Sequence, residues 1–450
     1  MERLRRTSQV TAVLLLFFLI SGTHSYGQYL SAEQAVAIAL QNNYAIRLSG
    51  LNERILESNV TLGNAGFLPQ LEAVAGQNNS VSNARQEYLS GQVNERDNAK
   101  SSSLNAGVEL NWTLFDGFMM FRGYDILKKQ LEAGELQTRL EVENTIREVL
   151  SLYYNIVELR QKVMMFEKSV SLGRARAEIA DDKLAIGAGS RLELLQARVD
   201  MNSDISELLN LNDLITEATI RMNTLLARNP DDDFTVEDTI VLMPPADFNT
   251  LREKTITHNA NLKVNRKDLE LAELNLKNIK GRRYPTLDAN VGYIYNEQQS
   301  ESGFVKSGKS DGFNYGLSAR LSIFDGLNRN REEKIARIEI ESAQLRYESY
   351  LADVNAQLLA TYNLYTNKLK TIELERENMK TAFTNFDIAN ERYRLGELSG
   401  IEIREAQQNL LRAQDRLITI IYQARLFEIE LLALSGGLLP EETISNNPGN

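Results

Sequence analysis

Residues 103–117, SLNAGVELNWTLFDG, return 209 positions later as residues 312–326, GFNYGLSARLSIFDG. In the first, Leu104, Ala106, Val108, Leu110, Trp112 and Leu114 alternate with Asn105, Gly107, Glu109, Asn111 and Thr113. In the second, Phe313, Tyr315, Leu317, Ala319, Leu321 and Ile323 alternate with Asn314, Gly316, Ser318, Arg320 and Ser322. A period of two marks a strand with one apolar and one polar face. Both strands run into the same motif, Phe115-Asp116-Gly117 and Phe324-Asp325-Gly326, after which the period changes. A duplicated chain builds two similar units, and the function must use them side by side.

The repeat extends well beyond this stretch. At the same shift Tyr153 falls on Tyr362, Gly187 on Gly396, Ser190 on Ser399, Glu193 on Glu402 and Ala197 on Ala406. Upstream the shift becomes 216, pairing Asn43 with Asn259 and Pro69 with Pro285, so a seven-residue indel lies between Pro69 and Phe115, as expected of a surface loop. A partner strand precedes each motif strand, through Leu71, Ala73 and Ala75 and through Leu287, Ala289, Val291, Tyr293 and Tyr295. Four strands are expected, at about 70–80, 103–115, 286–296 and 312–324. Their connections, roughly 77–102 and 296–312, are rich in Asn, Ser, Gly and charge and read as exposed loops.

Downstream of each Phe-Asp-Gly the spacing is helical. Val142, Ile146, Val149, Tyr153, Ile156, Val163 and Val170 repeat in fours and threes, and Leu351, Leu358, Tyr362, Tyr365, Ile372 and Met379 hold the same frame. Return segments follow through Leu208, Leu211, Ile215, Ala218, Met222 and Leu225 and through Leu417, Ile420, Ala424, Phe427, Leu431 and Leu434. Each copy therefore reads as a long coiled-coil helical hairpin, with tips at 187–190 and 396–400 where glycine permits reversal. No proline falls between 70 and 229 or between 286 and 439 to interrupt the helices. About 70 residues from Gly117 to Ile186 would span roughly 105 Å.

The expected organisation is a leader at 1–27, repeat 1 at 28–229, an inter-repeat linker at 230–249, repeat 2 at 250–436 and a tail at 437–450. The leader rests on Arg3, Arg5 and Arg6 before an apolar run from Val10 to Ile20, followed by small residues to Gly27. That run reads as a secretory signal peptide, since a spanning helix needs roughly 20 apolar residues; a short anchor helix is the alternative. With no cysteine, a disulfide framework, a thiol nucleophile and an N-terminal lipid on cysteine are all excluded. Net charge is -11, or -13 without the leader, which makes nucleic acid a poor partner.

Chemistry-bearing motifs are missing. His24 and His258 are the only histidines, and neither a phosphate loop nor a metal motif occurs, so no catalytic residue, metal or cofactor is expected. His258 aligns with Asn42 at a helix end and reads as structural. Asp231 to Asp233 read as linker, with calcium binding as the alternative.

Strands of about ten residues have the length that crosses an outer membrane when tilted, yet four cannot close a barrel. Open edges in lipid leave backbone groups unpaired, so the chain must oligomerise or the strands belong to a soluble sheet. Three chains give twelve strands, with Glu109, Asp288 and Arg320 facing a wet lumen and Trp112, Phe115, Phe118, Tyr284 and Phe324 available as an interfacial girdle.

On the duplication, Pro69 and Pro285, both Phe-Asp-Gly turns and both glycine tips, the chain resembles the TolC-like outer membrane efflux protein family over nearly its whole mature length. The resemblance implies a mixed, mostly α fold: long hairpins forming a periplasmic α-barrel, and four transmembrane strands per chain in a trimeric, twelve-stranded β-barrel. It also implies a homotrimer in outer-membrane lipid that meets a periplasmic adaptor and an inner-membrane pump. The duct it forms would be passive, serving efflux or type I secretion; the rival is a non-conducting structural or adhesive coiled coil. Members of that family close the periplasmic end with a tyrosine, a basic residue and acidic residues. Tyr393 matches the tyrosine, Glu402 and Glu405 the acidic positions and Glu193 the acidic partner in the first copy. Leu398 stands where a basic residue is expected, leaving Arg394, Arg404 or Arg191 as substitutes. The tips Gly187, Ser190, Gly396 and Ser399 would dock the adaptor. Glu402 and Glu405 are three apart on one helix face, so three chains bring six carboxylates around an axis and favour cations; an ordinary solvated face is the alternative.

Overall fold

The computed structural model describes residues 28–302 and 305–439. The expected leader, with His24, and residues 440–450 of the tail lie outside them. The chain divides into two compact units that cut across the two copies. One holds Ser49–Arg139 and Ala260–Ala352; the other holds Leu140–Asn259, the chain from Asp353 onward and the N-terminal segment to Leu48.

The first unit is built on a four-stranded antiparallel sheet of β2 (Gln70–Glu87), β3 (Val93–Phe115), β5 (Thr286–Ser300) and β6 (Ser307–Arg320), in that order. The two-residue strands β1 (Gln28–Tyr29) and β4 (Phe234–Thr235) belong to the other unit. Three antiparallel pairings leave the edge strands β2 and β6 running in opposite directions. Register puts Leu71, Leu110, Val291 and Tyr315 in one row and Ala73, Val108, Tyr293 and Phe313 in the next, so the apolar residues of all four strands share one face. Among the described residues nothing covers that face: Phe313 is 73% and Tyr315 83% exposed. The other face carries Glu72, Glu109, Asp288 and Arg320, with Thr113 donating to Asp288 at 2.8 Å.

Three expectations are corrected. Residues 77–87 and 93–102 are not loop but strand, closed by a turn at Tyr88–Gln92, and β5 likewise runs on to Ser300, with β6 beginning at Ser307. The ladder is a backbone property, and Asn and Ser continue it wherever a partner strand is in reach. At its far end β6 stops at Arg320, not 324, because its partner Thr286 directly follows Pro285 and no ladder lies beyond.

Each strand pair passes into its helix through Phe-Asp-Gly, leading to α3 (Met119–Ala185) and α7 (Asn328–Arg394). Asp116 accepts from the amides of Met119 and Met120 at 2.8 and 2.7 Å, and Asp325 from that of Arg329 at 3.0 Å, satisfying orphan donors of the helix start. The reversal between the aspartate and the helix takes two successive left-handed residues, Gly117 and Phe118 at φ 77° and 67°, Gly326 and Leu327 at 68° and 65°. A β-carbon on Gly117 would lie 2.2 Å from the Gly281 carbonyl oxygen, so that position admits only glycine. Aromatic rings of Phe115, Phe118 and Tyr284 contact one another here, at centroid distances of 5.2 and 6.2 Å. Helices α2 (Tyr44–Asn59) and α6 (Ala260–Gly281) complete this unit.

The second unit contains α1 (Ala32–Asn42), α5 (Phe248–His258) and the two hairpins, in which α3 and α7 return as α4 (Arg191–Leu225) and α8 (Gly400–Leu434). The heptad residues Val149, Tyr153, Ile156, Leu211 and Met222 form the core of the first hairpin. Asn43 donates to the Leu225 carbonyl at 2.9 Å and Asn259 to that of Leu434 at 3.1 Å, so each copy ends its return helix the same way. Linker residues are fastened to both hairpins. Tyr153 donates to the Leu30 carbonyl and accepts from the Glu237 amide, at 3.0 and 3.2 Å, and Tyr365 donates to the Met243 carbonyl. Tyr365, one turn past the Tyr362 that sequence aligns with Tyr153, takes the buried place in the second copy. His258 Nδ1 lies 2.7 Å from Thr257 Oγ1 in the last turn of α5, and Asp232 pairs with Arg228 at 3.5 Å. Among the described residues no His, Cys, Asp or Glu group is placed to hold a metal ion, and no helix is long and apolar enough to cross a membrane.

Candidate functional site

Both tips are built alike. Gly187 and Gly396 take φ of 77° and 80°, and Ser190 and Ser399 cap the returning helices, accepting from the amides of Glu193 and Glu402. The Ser-x-x-Glu spacing invites a capping box in each copy, but only the second forms one. Glu402 turns back to accept from the Ser399 amide at 3.0 Å and its hydroxyl at 2.7 Å, which holds its carboxyl below the usual range. Glu193 instead accepts from the Tyr393 hydroxyl at 3.1 Å. Tyr393 is 1% exposed, and burial, followed by the neighbouring Glu193, pushes its hydroxyl up to about 12. Lys183 sits over its ring, 4.3 Å from the centroid.

One turn further along α8, Arg404 grips Asp204 with two hydrogen bonds of 2.9 and 2.8 Å. Asp204 is buried on α4 and also accepts from Ser169 on α3, which in turn receives Gln407 at 2.8 Å. Arg176, 5% exposed, pairs with Asp200. Burial opposes the charge on Arg404, but the hydrogen bonds and field of Asp204 outweigh it and raise its pKa. A buried bidentate arginine–carboxylate pair fixes geometry as well as charge. It joins the second hairpin to the first.

Four of the residues singled out from sequence therefore share one cleft of about 260 Å³, where Tyr393, Glu193, Arg404 and Glu405 meet Arg176 and Asp200. Glu402 and Arg394 stand apart from it: Glu402 is exposed in its capping box, and Arg394 is exposed with Glu391 3.7 Å away. Leu398 packs against the apolar tip core of Phe386, Tyr393 and Ile403, so that position here serves packing, not charge. Asp204, Asp200, Arg176, Ser169 and Gln407 were missed from sequence. One signal was available: Asp204 stands seven residues before Leu211 and seven after Ala197, a charge at a buried heptad position.

A duplicated sheet with one uncovered apolar face, joined to paired hairpins whose tips are tied by polar contacts, defines an outer-membrane export channel. The chain belongs to the family described as outer membrane efflux protein, which matches residues 35–228 and 251–437. It is 19% identical over 428 residues to the outer membrane efflux protein BepC of Brucella suis, covering 94% of this chain and 90% of that one. It is 20% identical over 423 residues to the proteases secretion protein PrtF of Dickeya chrysanthemi, covering 91% and 89%. In structure it is similar to the CmeC outer membrane channel of Campylobacter jejuni, with a TM-score of 0.78 and 16% identity over 92% of this chain and 88% of that one. The protein is thus a channel of the outer membrane that extends into the periplasm and serves efflux or secretion.

Proposed function

We propose that three copies form a passive duct that catalyses nothing: twelve strands close a barrel in the outer membrane, and the hairpins continue it as a periplasmic tunnel. The observation that supports this most is the sheet, with one apolar face, one polar face and two open edges of opposite direction. In lipid those edges must pair, and β6 of one chain against β2 of the next pairs them antiparallel. The aromatic cluster at the strand-to-helix turn then lies at the membrane boundary.

In this reading the repeats 28–229 and 250–436 each supply one strand pair and one hairpin, with 230–249 as the linker between them. Tyr393–Glu193 and Arg404–Asp204 hold the tips closed. Glu402 and Glu405 bring acidic charge to the constriction, with Arg394 on its periphery. A periplasmic adaptor coupled to an inner-membrane pump docks at Gly187, Ser190, Gly396 and Ser399 and opens the tips. Cargo choice lies with those partners, since relatives carry names of both efflux and protease secretion.

Single-channel recording in a planar bilayer tests the duct. The purified protein should conduct in small steps at rest, and the Arg404→Ala/Tyr393→Phe variant should conduct several-fold more. A protein that never conducts, with or without these changes, is a stalk and not a channel.

A further inference from the structure

The duplication lets one joint dictate another. Near the tips, α8 lies against the first hairpin with Gly400 against Glu193, Arg404 against Asp204 and Gln407 against Ser169. At the shift of 209, the copy of the docking face is Arg191, Leu195 and Arg198 on α4, and the copy of the receiving face is Glu402, Ala413 and Asn378 on the second hairpin. Both halves of that second joint are present on every chain, and the α4 half is uncovered. Arg191, Leu192, Arg198 and Val199 are exposed, and Leu195 is 48% exposed. On the receiving face Glu402 and Asn378 are exposed and Ala413 is buried, so Glu402 and Asn378 of a second copy offer the open half a head-to-tail contact.

Two local features single out Arg191. It is the first residue of α4, where the helix dipole disfavours a cation, and among the described residues no carboxylate of its own chain compensates it. Glu402 spends one carboxylate oxygen, Oε2, on Ser399, while Oε1 takes no hydrogen bond among the described residues. Within the chain a β-carbon on Gly400 would lie 3.2 Å from Glu193 Cγ, so the residue at this position touches the carboxylate that follows the opposite cap.

We propose that Arg191 of one chain pairs with Glu402 of its neighbour and forms the latch between chains. This contact rests on the oligomeric duct reading and deepens it. Glycine lets the joint within a chain close tightly, whereas arginine holds the joint between chains a side chain wider and fills it with an ion pair. None of the other ties has an ion pair as counterpart there: Arg404–Asp204 becomes Leu195–Ala413, Gln407–Ser169 becomes Arg198–Asn378 and Tyr393–Glu193 becomes Leu184–Glu402.

Because the chain has no cysteine, an Arg191→Cys/Glu402→Cys variant reports the contact directly. Oxidation should produce covalent dimers and trimers on denaturing gels, with none from either single variant. A trimer intact by native mass spectrometry that forms no link between chains would overturn the pairing while leaving the duct in place; a chain that stays monomeric removes the duct reading and the contact with it. Independently, Arg191→Glu suits the helix start and keeps the fold, so resting conductance should rise several-fold and return when Glu402→Arg is added. A silent Arg191→Glu would also overturn the pairing.

Discussion

Arg404 and Tyr393 hold the same two hairpins by different chemistry, and their replacement should separate the two. Arg404→Ala leaves Asp204 buried without its counter-charge, a loss of about 3–5 kcal/mol. Tyr393→Phe removes one hydrogen bond to a carboxylate, about 1.5–3 kcal/mol. Urea unfolding of the two variants should show that order. Tyr393 also gives its tie to Glu193 an alkaline limit. Its folded pKa, raised to about 12, means that the neutral hydroxyl is the form the fold favours. That stabilisation is complete below the ordinary phenol value of about 10 and is lost as pH rises to about 12. Resting conductance should climb through that window in the natural protein and not in Tyr393→Phe. Tyr393 and Glu193 were singled out in the sequence by their match to the family's tip positions. Asp204 was not, although it stands in the heptad frame, because a heptad position does not name the partner that a charge there would find.

The strand-to-helix turns carry the strictest demand on a single backbone position. Gly187→Ala meets open space and costs about 1–2 kcal/mol of left-handed strain. Gly117→Ala adds a collision with the Gly281 carbonyl oxygen and should sharply lower the yield of folded protein, measured as heat-resistant oligomer in membranes. Sequence located these turns by repetition, though it did not explain them; the explanation is an aspartate cap behind two left-handed residues. Helix type and tip position were legible because a seven-residue period over dozens of residues is a strong signal. Strand length was underestimated because alternation fades beyond the apolar rows, where Asn78, Ser80, Ser101 and Ser103 still pair through their backbones.

At the scale of the whole molecule, the uncovered apolar face of the sheet is the feature a mutation can interrogate. Tyr315→Arg puts a charge on the apolar face and, with that face toward lipid, should impair insertion into vesicles by about 2–4 kcal/mol near the bilayer midplane. Asn314→Arg, one residue away on the polar face, should insert normally. Equal effects would place both faces in the same surroundings. Sequence conveyed this two-sidedness, since it follows from alternation, and four strands with open edges posed the choice between partner chains and a soluble sheet. It conveyed nothing about which contacts fasten one chain to the next, because a partner surface leaves no period of its own.

An even number of strands has one more effect. Since β2 and β6 run in opposite directions, every added chain restores the starting direction, and a sheet of this kind can close around two chains, three or four without a parallel seam. Strand direction therefore sets no limit on how many chains such a sheet can join, and whatever fixes that number must lie outside the strand ladder.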